Sequence, residues 1–158
     1  MTIETLRIGA GFDGYEELLD LILAAFAFMD GRIDPPSSAH RLTPDSLRQK
    51  ATQEMAFAAI ENGRLIGCIF LKPDETTLYI GKLAVLPSAQ GKGTGRLLLA
   101  RAEATAHELG LSSLRLETRV ELTENHRLFA AWGFGKTAEN RHAGYDRTTS
   151  IEMRKSLT

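Results

Sequence analysis

An apolar run that ends in three closely spaced glycines constrains this chain more than any other feature. Residues 83–100 read LAVLPSAQGKGTGRLLLA, with a glycine at every second position from Gly91 to Gly95. The apolar run predicts a strand that ends at Pro87, and the leucine spacing after Gly95 predicts a helix. The chain must therefore pass from a strand into a helix on a backbone that carries few side chains.

Such a corner suits a phosphate group, because unpaired backbone N–H groups lie at the positive end of the helix dipole. Hydrogen bonds to a charged group contribute about 1.5–3 kcal/mol each, whereas the dipole contributes about 0.3–1 kcal/mol. Loop geometry is therefore the larger effect. Glycines also allow positive φ and close approach to an anion, which valine at Gly93 or Gly95 would prevent.

Two common phosphate motifs do not match this corner. Leu86 stands where the Walker pattern needs a glycine, and Arg96 stands where the dinucleotide pattern needs one. A solvated glycine turn without any ligand is the alternative interpretation, because such turns are common between a strand and a helix.

The remaining pattern predicts one mixed α/β domain over residues 1–158. Helical periodicity predicts one helix capped by Asp13 and another capped by Thr43. Two apolar runs around the pair Asn62 and Gly63 predict a tight hairpin. The expected order is strand, two helices, three strands, helix, strand, helix, and one or two final strands.

Charge and composition exclude several classes of protein. The net charge of −1 gives no broad attraction to nucleic acid or to an anionic membrane, so we expect neither as a partner. The single cysteine, Cys68, excludes an internal disulfide and lies in an apolar stretch that favours buried packing. We find no apolar run of transmembrane length and no signal-peptide pattern, so a soluble cytoplasmic protein is expected.

The glycine corner resembles one further motif. The sequence QGKGTG at residues 90–95 resembles the Q/R-x-x-G-x-G/A signature of the GNAT N-acetyltransferase superfamily. The predicted order of elements is similar to that fold, and ENHRLFAAWGF at residues 124–134 resembles a later asparagine-containing helix that ends in Gly-Phe. The resemblance covers nearly the whole chain. It implies a central mixed, mostly antiparallel sheet flanked by helices.

The resemblance also implies acetyl-CoA as the acyl-donor co-substrate. The strand edge before the loop would pair with the pantetheine arm, which extends the sheet like an added strand. A backbone N–H near Ala84 or Val85 would polarise the thioester carbonyl, and Asn125 would contact the cofactor arm or, alternatively, cap its own helix. The cofactor-binding residues implied in this way are Leu83, Ala84, Val85, Gln90, Gly91, Lys92, Gly93, Thr94, Gly95, Arg96, Asn125 and Phe129.

Phe129 departs from the family pattern. The family often has a tyrosine at this position, where it protonates the departing CoA thiolate. Phenylalanine has no proton to give, so we expect Phe129 to pack against the cofactor arm or the core. A general acid contributes roughly 10²–10⁴-fold in rate, whereas positioning two reactants gives effective molarities of about 10⁵–10⁸ M. Catalysis without the tyrosine is therefore expected.

An amine acceptor needs a group that takes its proton, because deprotonating an alkyl amine at pH 7 costs about 4.6 kcal/mol. Tyr79, on the strand before the loop, and Glu117, in the strand pattern LRLETR, are two candidates. Each has an alternative role: Tyr79 as a packed strand aromatic, and Glu117 as a partner of Arg115 or Arg119.

The acceptor side is expected to involve two loops. His142 and Tyr145 lie in the turn-prone residues 141–150. His142 could take a proton near neutral pH, and Tyr145 could orient the acceptor or donate to the thiolate; alternatively, both only pack a surface turn. Ser37 and Ser38, in the loop after the first helix, are expected to supply polar contacts to the substrate.

The expected function is transfer of an acetyl group from acetyl-CoA to a primary amine, by direct attack on the thioester. The acceptor is a small-molecule amine or a protein amine, no metal is expected, and a homodimer is compatible with the resemblance. The alternatives are a non-catalytic CoA-binding or sensor module of the same fold, and a transferase that uses another acyl-CoA.

Overall fold

The computed structural model describes residues 2–157, which form seven strands and four α-helices. No helix in this range combines the length and the apolar character needed to cross a membrane. The helices are α1 (Tyr15–Phe26), α2 (Pro44–Gln53), α3 (Thr94–Glu108) and α4 (Thr123–Ala131). The strands are β1 (Glu4–Arg7), β2 (Met55–Glu61), β3 (Arg64–Asp74), β4 (Thr77–Val85), β5 (Ser113–Arg119), β6 (Gly135–Asn140) and β7 (Ser150–Ser156).

All seven strands belong to one sheet in the order β1-β2-β3-β4-β5-β7-β6. Neighbouring strands are antiparallel except β4 and β5, which run parallel at the centre of the sheet. The parallel pair needs a crossover connection, and α3 supplies it. The predicted mixed, mostly antiparallel sheet with flanking helices is confirmed.

Turn and capping residues determine several boundaries. Asn62 and Gly63 have φ of 54° and 75° and join β2 tightly to β3, as this pair predicts. Thr43 caps α2, because its hydroxyl oxygen accepts a hydrogen bond from the backbone N–H three residues further on. The predicted Asp13 cap of α1 is wrong: Gly14 occupies the N-cap position, and no side chain caps that helix.

Helices cover both faces of β3, which explains why residues 65–71 are buried without interruption. On one face, a Cβ at Gly67 would lie 3.1 Å from Leu98 of α3. On the other, the Phe70 ring lies 5.7 Å below the ammonium group of Lys50 in α2. The core therefore lies on both faces of the central strands, and helices pack on both faces of the sheet next to β4.

Cys68 lies fully buried in this core, and burial raises the pKa of its thiol to about 12. Since the thiolate is the reactive species, the folded protein should resist iodoacetamide at about pH 8. The protein unfolded in guanidinium chloride should be alkylated completely. Mass spectrometry measures both fractions, and equal modification of folded and unfolded protein would contradict the buried position.

Candidate active site

β4 and β5 part from each other halfway along β4. Their parallel register ends where Ile80 lies opposite Leu116. The next residue of β4, Gly81, is a bulge, because it has no partner in the register with β3. Within the described sheet, residues 81–85 therefore have no strand partner on the side that faces β5. A glycine at such a bend is typical of a bulge that redirects a strand.

A cleft of about 350 Å³ opens at this separation. Its walls come from β4, β5, α4, the end of α1 with the loop that follows it, and the tail before β7. The polar, charged and aromatic side chains that line it include Ser37, Ser38, Arg41, Tyr79, Lys82, Glu117, Arg119, Asn125, Phe129 and His142.

The glycine corner forms open backbone at the start of α3. Gly91 and Gly93 have φ of +81° and +84°, and in the described chain no atom beyond the adjacent residues lies within 4 Å of where a Cβ would stand. Gly93 is the N-cap of α3 and carries no side-chain cap. The first N–H groups of α3 therefore lack an intrahelical partner. This arrangement fits a pyrophosphate group.

Two side chains of the corner hold its backbone in place. The amide of Gln90 donates a hydrogen bond of 3.3 Å to the carbonyl oxygen of Val85. The hydroxyl of Thr94, which is buried, donates to the carbonyl oxygen of Ala89 at 3.3 Å. The loop is thus fixed by its own polar side chains, and these leave the backbone N–H groups of the corner accessible.

Gly95 is needed for a reason that the sequence did not indicate. It lies inside α3, and a Cβ there would come within 3.0 Å of the Trp132 ring. The guanidinium of Arg96 lies 6.0 Å from the centre of the same ring, while Lys92 forms an ion pair of 3.5 Å with Glu61. Close packing of α4 on α3, rather than positive φ, explains this glycine.

Asn125 and Phe129 are the residues of α4 that line the cleft. The alternative role of Asn125 as a helix cap is wrong, because the N-cap is Leu122 and no side chain caps α4. The half-buried Phe129 ring packs edge-to-face on Trp132 at 5.8 Å and on Phe134 at 5.9 Å. Phe129 therefore contacts the core on one side and lines the cleft on the other.

Tyr79 and Glu117 lie beside the point where the strands part. The Arg115 guanidinium lies 4.4 Å from the centre of the Tyr79 ring. Burial, followed by the charge of Glu117, raises the pKa of the Tyr79 hydroxyl, so the phenol stays protonated near neutral pH. Glu117 accepts a hydrogen bond of 2.8 Å from Asn140. Among described residues it forms an ion pair with neither Arg115 nor Arg119, so that alternative is wrong.

His142 reaches the cleft from the tail before β7. Its Nδ1 is hydrogen-bonded to the hydroxyl of the buried Thr149, and its backbone N–H donates to the same oxygen at 2.9 Å. These two contacts fix the ring. Nε2 has no hydrogen-bond partner among residues 2–157, which leaves it available to a substrate or to water.

Residues 30–41 are tied to the other walls of the cleft. The Arg119 guanidinium donates a hydrogen bond of 2.6 Å to the carbonyl oxygen of Pro35. The hydroxyl of Tyr145 donates to Asp34 at 2.6 Å, and this bond raises the pKa of the phenol. Tyr145 itself is not among the residues that line the cleft. The structure therefore places it as a tether between the loop and the tail.

Ser37 and Ser38 both line the cleft. Ser37 caps a short 3-10 turn, Ser38–Arg41, by accepting from the N–H of Ala39 at 3.2 Å. Ser38 accepts a hydrogen bond of 3.1 Å from the ammonium group of Lys82. Lys82 was not predicted as a site residue, although a lone charge inside the apolar pattern LYIGKLAVL was a signal that could have identified it.

Comparisons with known proteins agree with this geometry. The profile described as the acetyltransferase (GNAT) family matches residues 16–134. The chain is 34% identical over 107 residues to an IAA acetyltransferase of Azospirillum brasilense, covering 66% of this chain and 68% of that protein. It is 31% identical over 91 residues to a mycothiol acetyltransferase of Jonesia denitrificans, covering 56% of this chain but only 28% of that longer protein.

Solved structures share the whole fold. A PaiA N-acetyltransferase from Thermoplasma acidophilum, crystallised with coenzyme A, superposes with a TM-score of 0.81 at 18% identity over 99% of this chain and 100% of that one. A GNAT family acetyltransferase from Elizabethkingia anophelis with bound acetyl-CoA gives 0.70 at 24% identity over 98% of both chains. With a family profile that covers most of its length, the chain belongs to the GNAT acetyltransferase family.

Proposed function

We propose that this protein transfers the acetyl group of acetyl-CoA to a primary amine by direct attack of the amine on the thioester. Family membership supports the acyltransferase activity and the donor. The observation that carries the proposal is the combination of an open glycine corner at the start of α3 with an adjacent strand edge that has no partner.

The donor would lie along this edge. The backbone N–H groups of residues 91–96 would hold the pyrophosphate, since neither side chains nor helical partners occupy them. Residues 83–85 would pair with the peptide-like pantetheine arm, and Asn125 and Phe129 would border the arm from α4. Acetyl-CoA supplies an activated acyl group, and a backbone N–H near Ala84 or Val85 would polarise its carbonyl.

We propose Glu117 as the group that takes the proton of the amine, directly or through one water. It follows Leu116, the last residue of β5 that pairs with β4, so it stands where these two strands separate. Asn140 holds one of its oxygens, and the remaining lone pairs are available to an amine or a water. Tyr79 does not suit this role, because its raised pKa keeps it protonated. His142 Nε2 is the second candidate.

Tyr145 has a positioning role in this proposal. Its hydroxyl is engaged by Asp34, and Arg147 donates a second hydrogen bond of 3.0 Å to the carbonyl oxygen of Asp34. These contacts hold the loop that carries Ser37 and Ser38 against the tail that carries His142. The acceptor-side wall therefore depends on Tyr145 even though its hydroxyl lies outside the cleft.

The Phe129→Tyr variant is expected to change kcat by no more than about threefold, because a thiol with a pKa near 8.5 leaves adequately without a proton donor. Steady-state kcat, measured beside CoA affinity, tests this. A gain of roughly 10²–10⁴-fold would show instead that proton donation limits the wild-type reaction. A large loss would show that the cleft needs an apolar ring at this position.

The function is tested by measuring CoA release from acetyl-CoA in the presence of a panel of amines, next to calorimetric binding of CoA alone. Amine-dependent release above the rate of hydrolysis is expected. CoA binding without release from any amine would favour the non-catalytic CoA-binding module, for which the absence of a tyrosine at Phe129 is the supporting feature. A faster reaction with a longer acyl-CoA would identify a different donor.

A further inference from the structure

Lys82 occupies an unusual position in the cleft. It follows the bulge at Gly81, is half-buried, and points its ammonium group to the hydroxyl of Ser38 at 3.1 Å. Among residues 2–157, no carboxylate forms an ion pair with it, whereas the nearby Lys50 pairs with Glu54 at 2.7 Å. Burial, then the charge of Lys50, lowers the pKa of Lys82, and the charge of Glu54, which forms no ion pair with Lys82, offsets this only in part.

The other charges in the cleft add to this imbalance. Three cations line it, Lys82, Arg41 and Arg119, against the single carboxylate of Glu117 in the described chain. The Arg119 guanidinium donates hydrogen bonds to the carbonyl oxygens of Pro35 and Pro36, in the loop between α1 and α2. The exposed Arg41 has no ion pair among the described residues. A partly desolvated cation without a counter-ion is unfavourable, so an anionic group that enters the cleft would be attracted to Lys82 and Arg41.

We propose that the acceptor is a small amine that carries a carboxylate, and that Lys82 and Arg41 bind this carboxylate while the amine faces Glu117. This inference rests on the proposed function. The cleft of about 350 Å³, which the donor arm would share, limits the acceptor to a small molecule such as an amino acid. A polyamine would bring a second positive charge towards Lys82 and Arg41. An amine without any acidic group would leave both side chains without a partner.

Matched acceptors test the charge requirement. Each amino acid of a panel is compared with its own carboxamide, which has the same shape without the negative charge, and with spermidine. We expect kcat/KM to be about 10- to 100-fold higher for the acids, the range for hydrogen bonds to a charged group. Carboxamides or spermidine that react as well as the acids would overturn the inference while acetyl transfer itself stands.

Lys82→Met tests the residue, because methionine is similar in length and neutral. KM for the acids is expected to rise about tenfold or more, with KM for acetyl-CoA and for the carboxamides unchanged. Lys82→Arg should retain the preference for acids. Lys136→Met is the matched control, since Lys136 is paired with Glu139 on β6 and does not line the cleft. An unchanged preference in Lys82→Met would overturn the assignment.

A binding measurement separates this inference from the proposed function. If no amine of either series releases CoA, the proposed function fails. The carboxylate site can still be tested, by calorimetry of the CoA-bound protein with the N-acetyl derivatives of the same panel. Tighter binding of N-acetyl amino acids than of their carboxamides, lost in Lys82→Met, would support a carboxylate site. Equal binding by wild type and Lys82→Met would refute it.

Discussion

Gly93→Val is expected to weaken CoA binding about 100-fold while the protein stays folded. A side chain at positive φ strains the backbone by about 1–2 kcal/mol, and relief of that strain turns the N–H groups at the start of α3 away from the pyrophosphate. Each hydrogen bond lost to a charged group removes about 1.5–3 kcal/mol of binding free energy. Isothermal calorimetry gives the affinity, and circular dichroism with thermal unfolding reports the fold.

Gly110→Val is the matched control for this experiment. Gly110 has φ of +71°, and in the described chain no atom beyond the adjacent residues lies within 4 Å of its Cβ position, but it follows the opposite end of α3. Both variants therefore carry a similar conformational strain. Equal CoA affinities in the two variants would contradict the donor site. Gly95→Val is less informative, because contact with Trp132 would also disturb the packing of α4.

Glu117→Gln is expected to lower kcat by roughly 10²–10⁴-fold, the usual contribution of a general base. Glutamine keeps the shape of the side chain and an oxygen for the hydrogen bond from Asn140, but it cannot take a proton. KM for acetyl-CoA and the CoA affinity should not change, because the residue faces the acceptor. Single-turnover rates with a working amine separate the chemical step from product release.

Two further variants decide between the candidate proton acceptors. Glu103→Gln removes a carboxylate that pairs with Lys155 at 2.7 Å away from the cleft, and it should retain wild-type kcat. His142→Gln should reduce kcat far less than Glu117→Gln. The reverse order, with a large loss in His142→Gln alone, would transfer the role to Nε2 of His142.

Local features of the structure were predictable from the sequence. The pair Asn62 and Gly63 determines its turn by its own φ preferences, and Thr43 caps α2 through an atom only three residues away. The glycine corner is equally local, since its openness at Gly91 and Gly93 needs only the absence of side chains. These interactions depend on short stretches of chain, so a sequence pattern can report them.

The parts of the site that depend on distant contacts were not predictable. Tyr145 donates to a residue 111 positions away, and the reason for Gly95 is the ring of Trp132, which follows α4. Lys82 lines a cleft only because β4 and β5 separate after the bulge at Gly81. Strand separation is a property of the assembled sheet, and periodicity along one strand carries no information about it.

The gap between β4 and β5 also has a consequence for the stability of the folded protein. In the described sheet, no strand pairs with the β5-facing side of residues 81–85. A pantetheine arm that paired with this edge, as proposed above, would complete the ladder, and donor binding would then stabilise the folded state. A ligand at 100 times its dissociation constant stabilises the folded state by about 2.7 kcal/mol. The unfolded fraction, which proteases attack, would then fall as the concentration of acetyl-CoA rises. The amount of enzyme would therefore increase with the supply of its donor.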